Sequence, residues 1–105
     1  MLVEEIYAVT SKLPSNQRFS LIEQLQRAAI SVPSNIAEGA ARGSKAEFAR
    51  YLLIARGSLM EIDTQLLIAR NLGLVNRQKY LQERIYRLLA KLNNLLRKQR
   101  LSKAP

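Results

Sequence analysis

Apolar residues recur along this chain at helical spacing, and no stretch alternates apolar and polar residues with the period of a strand. Leu2 to Leu13 makes a short amphipathic segment stopped by Pro14, with Ser15 or Asn16 placed to cap the next helix. From near Gln17, the positions Ile22, Leu25, Ala29, Val32, Ile36 and Ala40 are spaced 3, 4, 3, 4 and 4, which keeps one helical phase straight across Pro33. A break at the proline would reset that phase. The spacing therefore predicts one kinked helix over 17–42, with Ser31, Ser34 and Asn35 available to bond backbone groups freed there. Asn35 with Glu38 leaves open a second reading, in which a cap-like pair restarts a new helix.

The third segment is punctuated more sharply. Gly43 suits the left-handed position after a helix, and Ser44 with Glu47 forms a capping box ahead of an apolar run. Phe48, Leu52, Ala55, Leu59, Ile62, Leu66 and Ala69 then repeat every 4, 3, 4, 3, 4 and 3 residues, the seam of a bundle helix over 45–72 ended by Gly73. Asn76 can cap a fourth helix over 76–100, whose seam is Leu81, Ile85, Leu88, Leu92 and Leu95, widened by Leu89 and Leu96. Short connections force neighbouring helices to run antiparallel. The expected fold is all-α: an up-down-up-down four-helix bundle in one domain over 1–105, with a short first helix and a proline-kinked second one.

A second apolar stripe on the third helix does not belong to that seam. Leu53, Gly57, Met60, Thr64 and Leu67, with Ile54 and Ile68 beside them, would need a partner of their own. Gly57 would let another backbone come close. In so small a chain the stripe points to an interface between copies, although deeper burial within one bundle is the plainer explanation of a second apolar face.

Composition narrows the chemistry. Cysteine and histidine are both absent, which removes disulfides, thiolate metal sites, cysteine nucleophiles and the commonest general base. Glu38, Glu61 and Asp63 near the middle of the chain lack the Glu-x-x-His pattern of di-metal bundles, so pairing with Arg27, Arg42, Arg50 or Arg56 is the expectation. A polar stripe of Gln24, Arg27, Ser31, Asn35 and Glu38 is expected to face Arg50, Ser58, Glu61 and Gln65. Neither catalytic residues, metal nor cofactor are expected. No leader and no apolar run of membrane-spanning length is seen, which favours a soluble, cytoplasmic protein with no membrane partner.

Charge is the strongest functional signal. Seventeen Lys and Arg against 8 Asp and Glu give +9, and residues 75–105, with nine cations against one anion, hold +8 of it. Arg77, Arg84, Lys91 and Lys98 fall at intervals of seven, with Tyr80 and Arg87 on adjoining rows and Arg97, Arg100 and Lys103 continuing into a basic tail over 97–105. That ridge runs along about 30 Å of helix, against DNA charges spaced every ~1.7 Å. These residues are the expected contacts to RNA or DNA, directed at the backbone and weakly sequence-specific, although a basic helix face can also serve solubility alone. The stretch "GAARGSK" glances at a phosphate-binding loop, but its glycines are four apart, Ser44 precedes Lys45, and no strand leads in. Its Gly43 and Ser44 are read as the turn and cap that launch the third helix.

The string "RAAISVPSNIAEGAARGSKAEFARYLLIARGSLMEIDTQLLIARNLG", residues 27–73, resembles the bacterial four-helix-bundle proteins encoded by intervening sequences in large-subunit ribosomal RNA genes. The resemblance is carried by Arg27, Ser31, Pro33, Asn35, Glu38, Gly39, Arg42, Ser44, Glu47, Gly57, Ser58 and Glu61, among others of that string. It implies a small basic bundle that assembles as a homopentamer and has no established catalysis. The fold is similar to the accessory protein of diversity-generating retroelements, which implies a reverse transcriptase or nucleic acid as partner. No catalytic residue carries over. Members usually have further residues ahead of the position of Met1, and a glycine is common where Ala41 stands here. Besides nucleic-acid binding, a scaffold for a protein partner and an element of no selected activity remain as readings.

Overall fold

The computed structural model describes residues 1–101, with side chains as far as Gln99. It is a four-helix bundle: α1 (Leu2–Thr10), α2 (Glu23–Ala41), α3 (Lys45–Asn71) and α4 (Lys79–Leu101). No strand occurs among the described residues. Each helix packs on the next and α1 closes against α4, placing α1 and α3 across the diagonal. Contacts between α2 and α3 pair Gln24 with Gln65 and Ser31 with Ser58, so one helix ascends as the other descends.

The core follows the seams. Leu52, Ala55, Leu59, Ile62 and Ala69 of α3 meet Leu25, Ala29 and Val32 of α2 and Leu81, Ile85, Leu92 and Leu96 of α4, all buried. Leu2, Ile6, Val9 and Leu13 supply the fourth side. Phe48, Leu66, Leu88 and Leu95 are half-buried at the margins, and Ala40, expected on the α2 stripe, is exposed. Gly39 is buried in its place. A Cβ there would stand 2.7 Å from Tyr51 Cβ, so glycine is what lets α2 and α3 approach.

α2 passes through Pro33 without interruption, as its apolar phase requires. Asn35 Nδ2 donates at 2.8 Å both to the Ser31 carbonyl and to the Ser31 hydroxyl, bracing the turn around the proline. The restarted-helix reading is thereby excluded. Gly43 and Gly73 hold φ of +81° and +74°, the left-handed positions that end α2 and α3. The Ser44 hydroxyl accepts from the Glu47 amide at 3.1 Å, while the Glu47 carboxylate accepts from Arg50 Nε at 3.1 Å.

Three boundaries differ from the sequence reading. α1 stops at Thr10, and turns through Leu13 N–H to the Thr10 carbonyl lead into Pro14. Neither Ser15 nor Asn16 caps α2. Instead a 3-10 turn (Ser15–Gln17) and a π-helical turn (Arg18–Ile22) precede it, burying Leu21 and leaving Phe19 76% exposed. Finally, α4 begins at Lys79, and Asn76 is not its cap; its carbonyl accepts from Gln78 Nε2.

Candidate functional site

The basic side of α4 is built by one helical row. Arg87, Lys91 and Lys98 are exposed and lie on the face away from the buried Leu81, Ile85, Leu92 and Leu96. Tyr80 adjoins them, 81% exposed. Arg97 is exposed too, but turned toward Asn94, whose side-chain oxygen accepts from it at 2.9 Å. Two expected members are placed differently. Arg77 lies ahead of α4, in the connection, so it extends the row without belonging to the helix. Arg84 is half-buried and ion-paired with Glu5 of α1, which itself sits 3.6 Å from the Met1 ammonium. The Arg100 side chain and Lys103 lie outside the described residues.

On α3, the second stripe is turned away from the core. Leu53, Ile54, Met60, Leu67 and Ile68 are all exposed, with Leu72 continuing the patch at 63%. Gly57 and Thr64 sit within it; the Thr64 hydroxyl bonds its own helix at the Met60 carbonyl, and a Cβ on Gly57 would meet nothing within 4 Å. Six large apolar side chains therefore share one solvent-facing strip of helix. Nothing among the described residues covers it.

The expected polar seam between α2 and α3 is present. The Ser31 and Ser58 hydroxyls bond at 2.8 Å, and Gln65 Nε2 donates to Gln24 Oε1 and Glu61 Oε1, both at 3.3 Å. Gln65 itself is buried, which its place in the heptad did not announce. Further along, Arg42 pairs with Glu38 at 2.7 Å, and Arg42 and Arg50 both donate to the Tyr51 hydroxyl, their guanidinium carbons 5.3 and 4.7 Å from its ring centre. Tyr51, and after it Glu38, push the Arg42 pKa above its ordinary value, so this guanidinium keeps its charge. The other expected ion pairs do not form among the described residues: Arg50 pairs with Glu47, Arg56 donates to Asn93 at 3.0 Å, Glu61 accepts from Gln65, and Asp63 lines a cleft with Arg70 and Arg77 where α3 meets the connection to α4. No cluster of metal-ligating side chains occurs among the described residues, and no described helix is long and apolar enough to cross a membrane.

The 23S rRNA-intervening sequence protein family model matches residues 1–98, nearly the whole of this bundle. The chain belongs to that family. A search of curated proteins finds no match. Within this intervening sequence protein, the family-like polar residues Arg27, Ser31, Asn35, Glu38, Ser58 and Glu61 gather along the α2–α3 seam, whereas the basic row of α4 lies outside the string that carried the resemblance.

Proposed function

We propose that this intervening sequence protein is a non-enzymatic, cytoplasmic, homo-oligomeric bundle that binds RNA or DNA through the basic side of α4. The observation that carries the reading is the concentration of charge: +8 of the net +9 lies in residues 75–105, a segment that includes α4, whose opposite face is committed to the core. Arg87, Lys91 and Lys98 form the phosphate-facing row, extended by Arg77 and the basic tail, while Arg84 serves in part to fix α1. No base-reading element accompanies them, so binding is to the phosphate backbone, steep in salt and weakly sequence-specific.

Oligomerisation is supported by the exposed apolar strip of α3, which a second copy would cover, and Gly57 marks where the two backbones come closest. The pentameric state follows from the family resemblance alone. Several copies would multiply the cationic surface and with it the affinity.

Fluorescence anisotropy with mixed-sequence RNA and DNA tests the reading. Binding at low salt that is abolished in a variant carrying Arg87→Glu, Lys91→Glu and Lys98→Glu is expected. Undetectable binding, or binding indifferent to those changes, would overturn it. A protein partner such as a reverse transcriptase is the second reading, favoured if that surface captures a protein in a nuclease-resistant manner. An element of no selected activity is the third.

A further inference from the structure

Cations also gather at one end of the bundle, away from the row on α4. Where α1 ends and α4 begins lies a cleft walled by Ala8 and Val9 of α1 and by Leu81 of α4, and lined as well by Lys12, Arg77 and Lys79. Tyr80 lines it too, 81% exposed. The concave surface continues past it. Lys12 and Gln78 also line an adjoining cleft over residues 73–76, and Arg77 lines a third together with Arg70, in the last turn of α3. Three separate stretches of chain thus bring Lys12, Arg70, Arg77 and Lys79 to the same end.

No partner occupies these four cations: none has an ion pair or a hydrogen bond among the described residues. Of the carboxylates lining the same clefts, Glu5 is held by Arg84, and Asp63 shares its cleft with the two guanidiniums of Arg70 and Arg77. Glu83, one turn into α4, is the only acid in residues 75–105. Tyr80 joins this end to the α4 row. Tyr80, Arg87, Lys91 and Lys98 are spaced 7, 4 and 7, which sets them along one line of the helix. A chain of phosphates that follows this line arrives at Tyr80, and beyond it at the end clefts.

From this arrangement we infer that the nucleic acid is single-stranded, and that it leaves the α4 row at Tyr80 to enter the clefts at the end of the bundle. The inference rests on the α4 reading and narrows its partner. Duplex DNA is stiff over ~500 Å, whereas the bundle is only 22 by 19 Å across. A duplex laid along α4 therefore runs straight past Lys12 and Arg70. Its bases are also paired and stacked, so it has nothing to offer an exposed phenol ring beside apolar walls. An unpaired strand turns freely, stacks a base on Tyr80 and brings its phosphates to Lys12, Arg70 and Arg77, as single-strand binders combine aromatic rings with cationic grooves.

The test is fluorescence anisotropy of the full chain with a mixed-sequence single strand and with the blunt duplex of the same sequence and length, in DNA and in RNA, across a salt series. The single strand is expected to bind about tenfold more tightly than the duplex, the size of one stacked base. Lys12→Gln with Arg70→Gln leaves the α4 row untouched. It should lower the salt slope of the single strand by about 1.4, two contacts at ~0.7 each, and leave the slope of the duplex unchanged. Tyr80→Ala should weaken the single strand about tenfold and spare the duplex, while Tyr80→Phe keeps strand binding, because the ring stacks and the hydroxyl does not. All three substituted side chains are exposed, and melting curves verify that the fold is intact. Undetectable binding of strand and duplex alike overturns the α4 reading and this inference with it. Binding that is lost on reversal of Arg87, Lys91 and Lys98, yet is equal for strand and duplex or indifferent to Lys12, Arg70 and Tyr80, overturns this inference alone.

Discussion

Glu5, in the first turns of α1, holds the guanidinium of Arg84, the residue at the middle of the basic row of α4. The two are 41% and 29% exposed for Arg84 and Glu5 respectively, so the pair is neither buried nor free. It joins the shortest helix to the last one and takes one cation out of the surface that would meet a phosphate backbone. A half-exposed pair of this kind contributes on the order of 1 kcal/mol, close to what surface pairs give. The pair's effect on the charge pattern therefore outweighs its effect on stability.

Replacing Glu5 with Gln is thus expected to strengthen nucleic-acid binding. Removing one anion and releasing Arg84 should steepen the slope of log affinity against log salt by about one contact, roughly 0.7–0.9 units. The melting temperature should move little. Anisotropy across a salt series reads the first effect and a thermal melt the second; an unchanged slope would show that Arg84 remains outside the contact surface when released.

The two helical glycines give opposite expectations. Gly39→Ala puts a Cβ 2.7 Å from Tyr51 Cβ and 3.2 Å from Phe48, where α2 and α3 are in contact. Overpacking of that kind costs about 1–3 kcal/mol, or a fall of roughly 4–8 °C in melting temperature per kcal/mol. Gly57→Ala meets open space within the chain, so helix propensity alone should stabilise the monomer by up to about 1 kcal/mol. If Gly57 lies where copies meet, the same change weakens assembly. Melting at low concentration and light scattering at high concentration separate the two effects.

The bundle is legible in the sequence because its signal is periodic. Ile22 to Val32 and Ile36 share a phase that Pro33 does not hide, since the proline disturbs one turn while the core sets the phase of the whole helix. The same periodicity locates the outward stripe of α3. Contacts between distant segments are what the sequence conceals. Arg84 fits the seven-residue row, yet its partner Glu5 lies on another helix. Gly39 falls inside the predicted second helix, but nothing along the chain shows that α3 presses against it there. Gln65 falls on the polar seam as its spacing predicts, but its burial depends on how closely α2 approaches. The π-helical turn at Arg18–Ile22 leaves no apolar repeat to detect, so Phe19 carries no sequence signal of exposure.

Gln65 permits a direct test of how much its unfilled acceptor costs. A buried polar atom without a partner costs about 1–3 kcal/mol. Gln65→Met keeps the length of the side chain and removes both the orphaned oxygen and the donor, and the partners left behind, Gln24 and Glu61, are exposed and can bond water. Urea unfolding should show a more stable protein with an unchanged m-value. A clear loss of stability would mean that the amide is satisfied in solution and that its donation to Gln24 and Glu61 matters more than the vacant oxygen.

The apolar strip of α3 supports the most consequential expectation. Leu53 and Met60 are 47% and 39% exposed and contribute little to the core, so charges at these positions should leave the isolated fold nearly intact, within about 0.5 kcal/mol. If copies associate through this strip, Leu53→Arg with Met60→Glu places two desolvated charges in the contact, and leaving a charge buried and unpaired costs about 3–5 kcal/mol. That is enough to shift a micromolar assembly to monomer at working concentrations. Light scattering should therefore show an oligomer for the parent chain and a monomer for the double variant, with unchanged circular dichroism. The parent's melting temperature should rise with protein concentration by mass action, and the variant's should not. A parent chain that is already monomeric, or a double variant that still assembles, rules out this strip as the interface and leaves the six exposed apolar side chains without an assembly role.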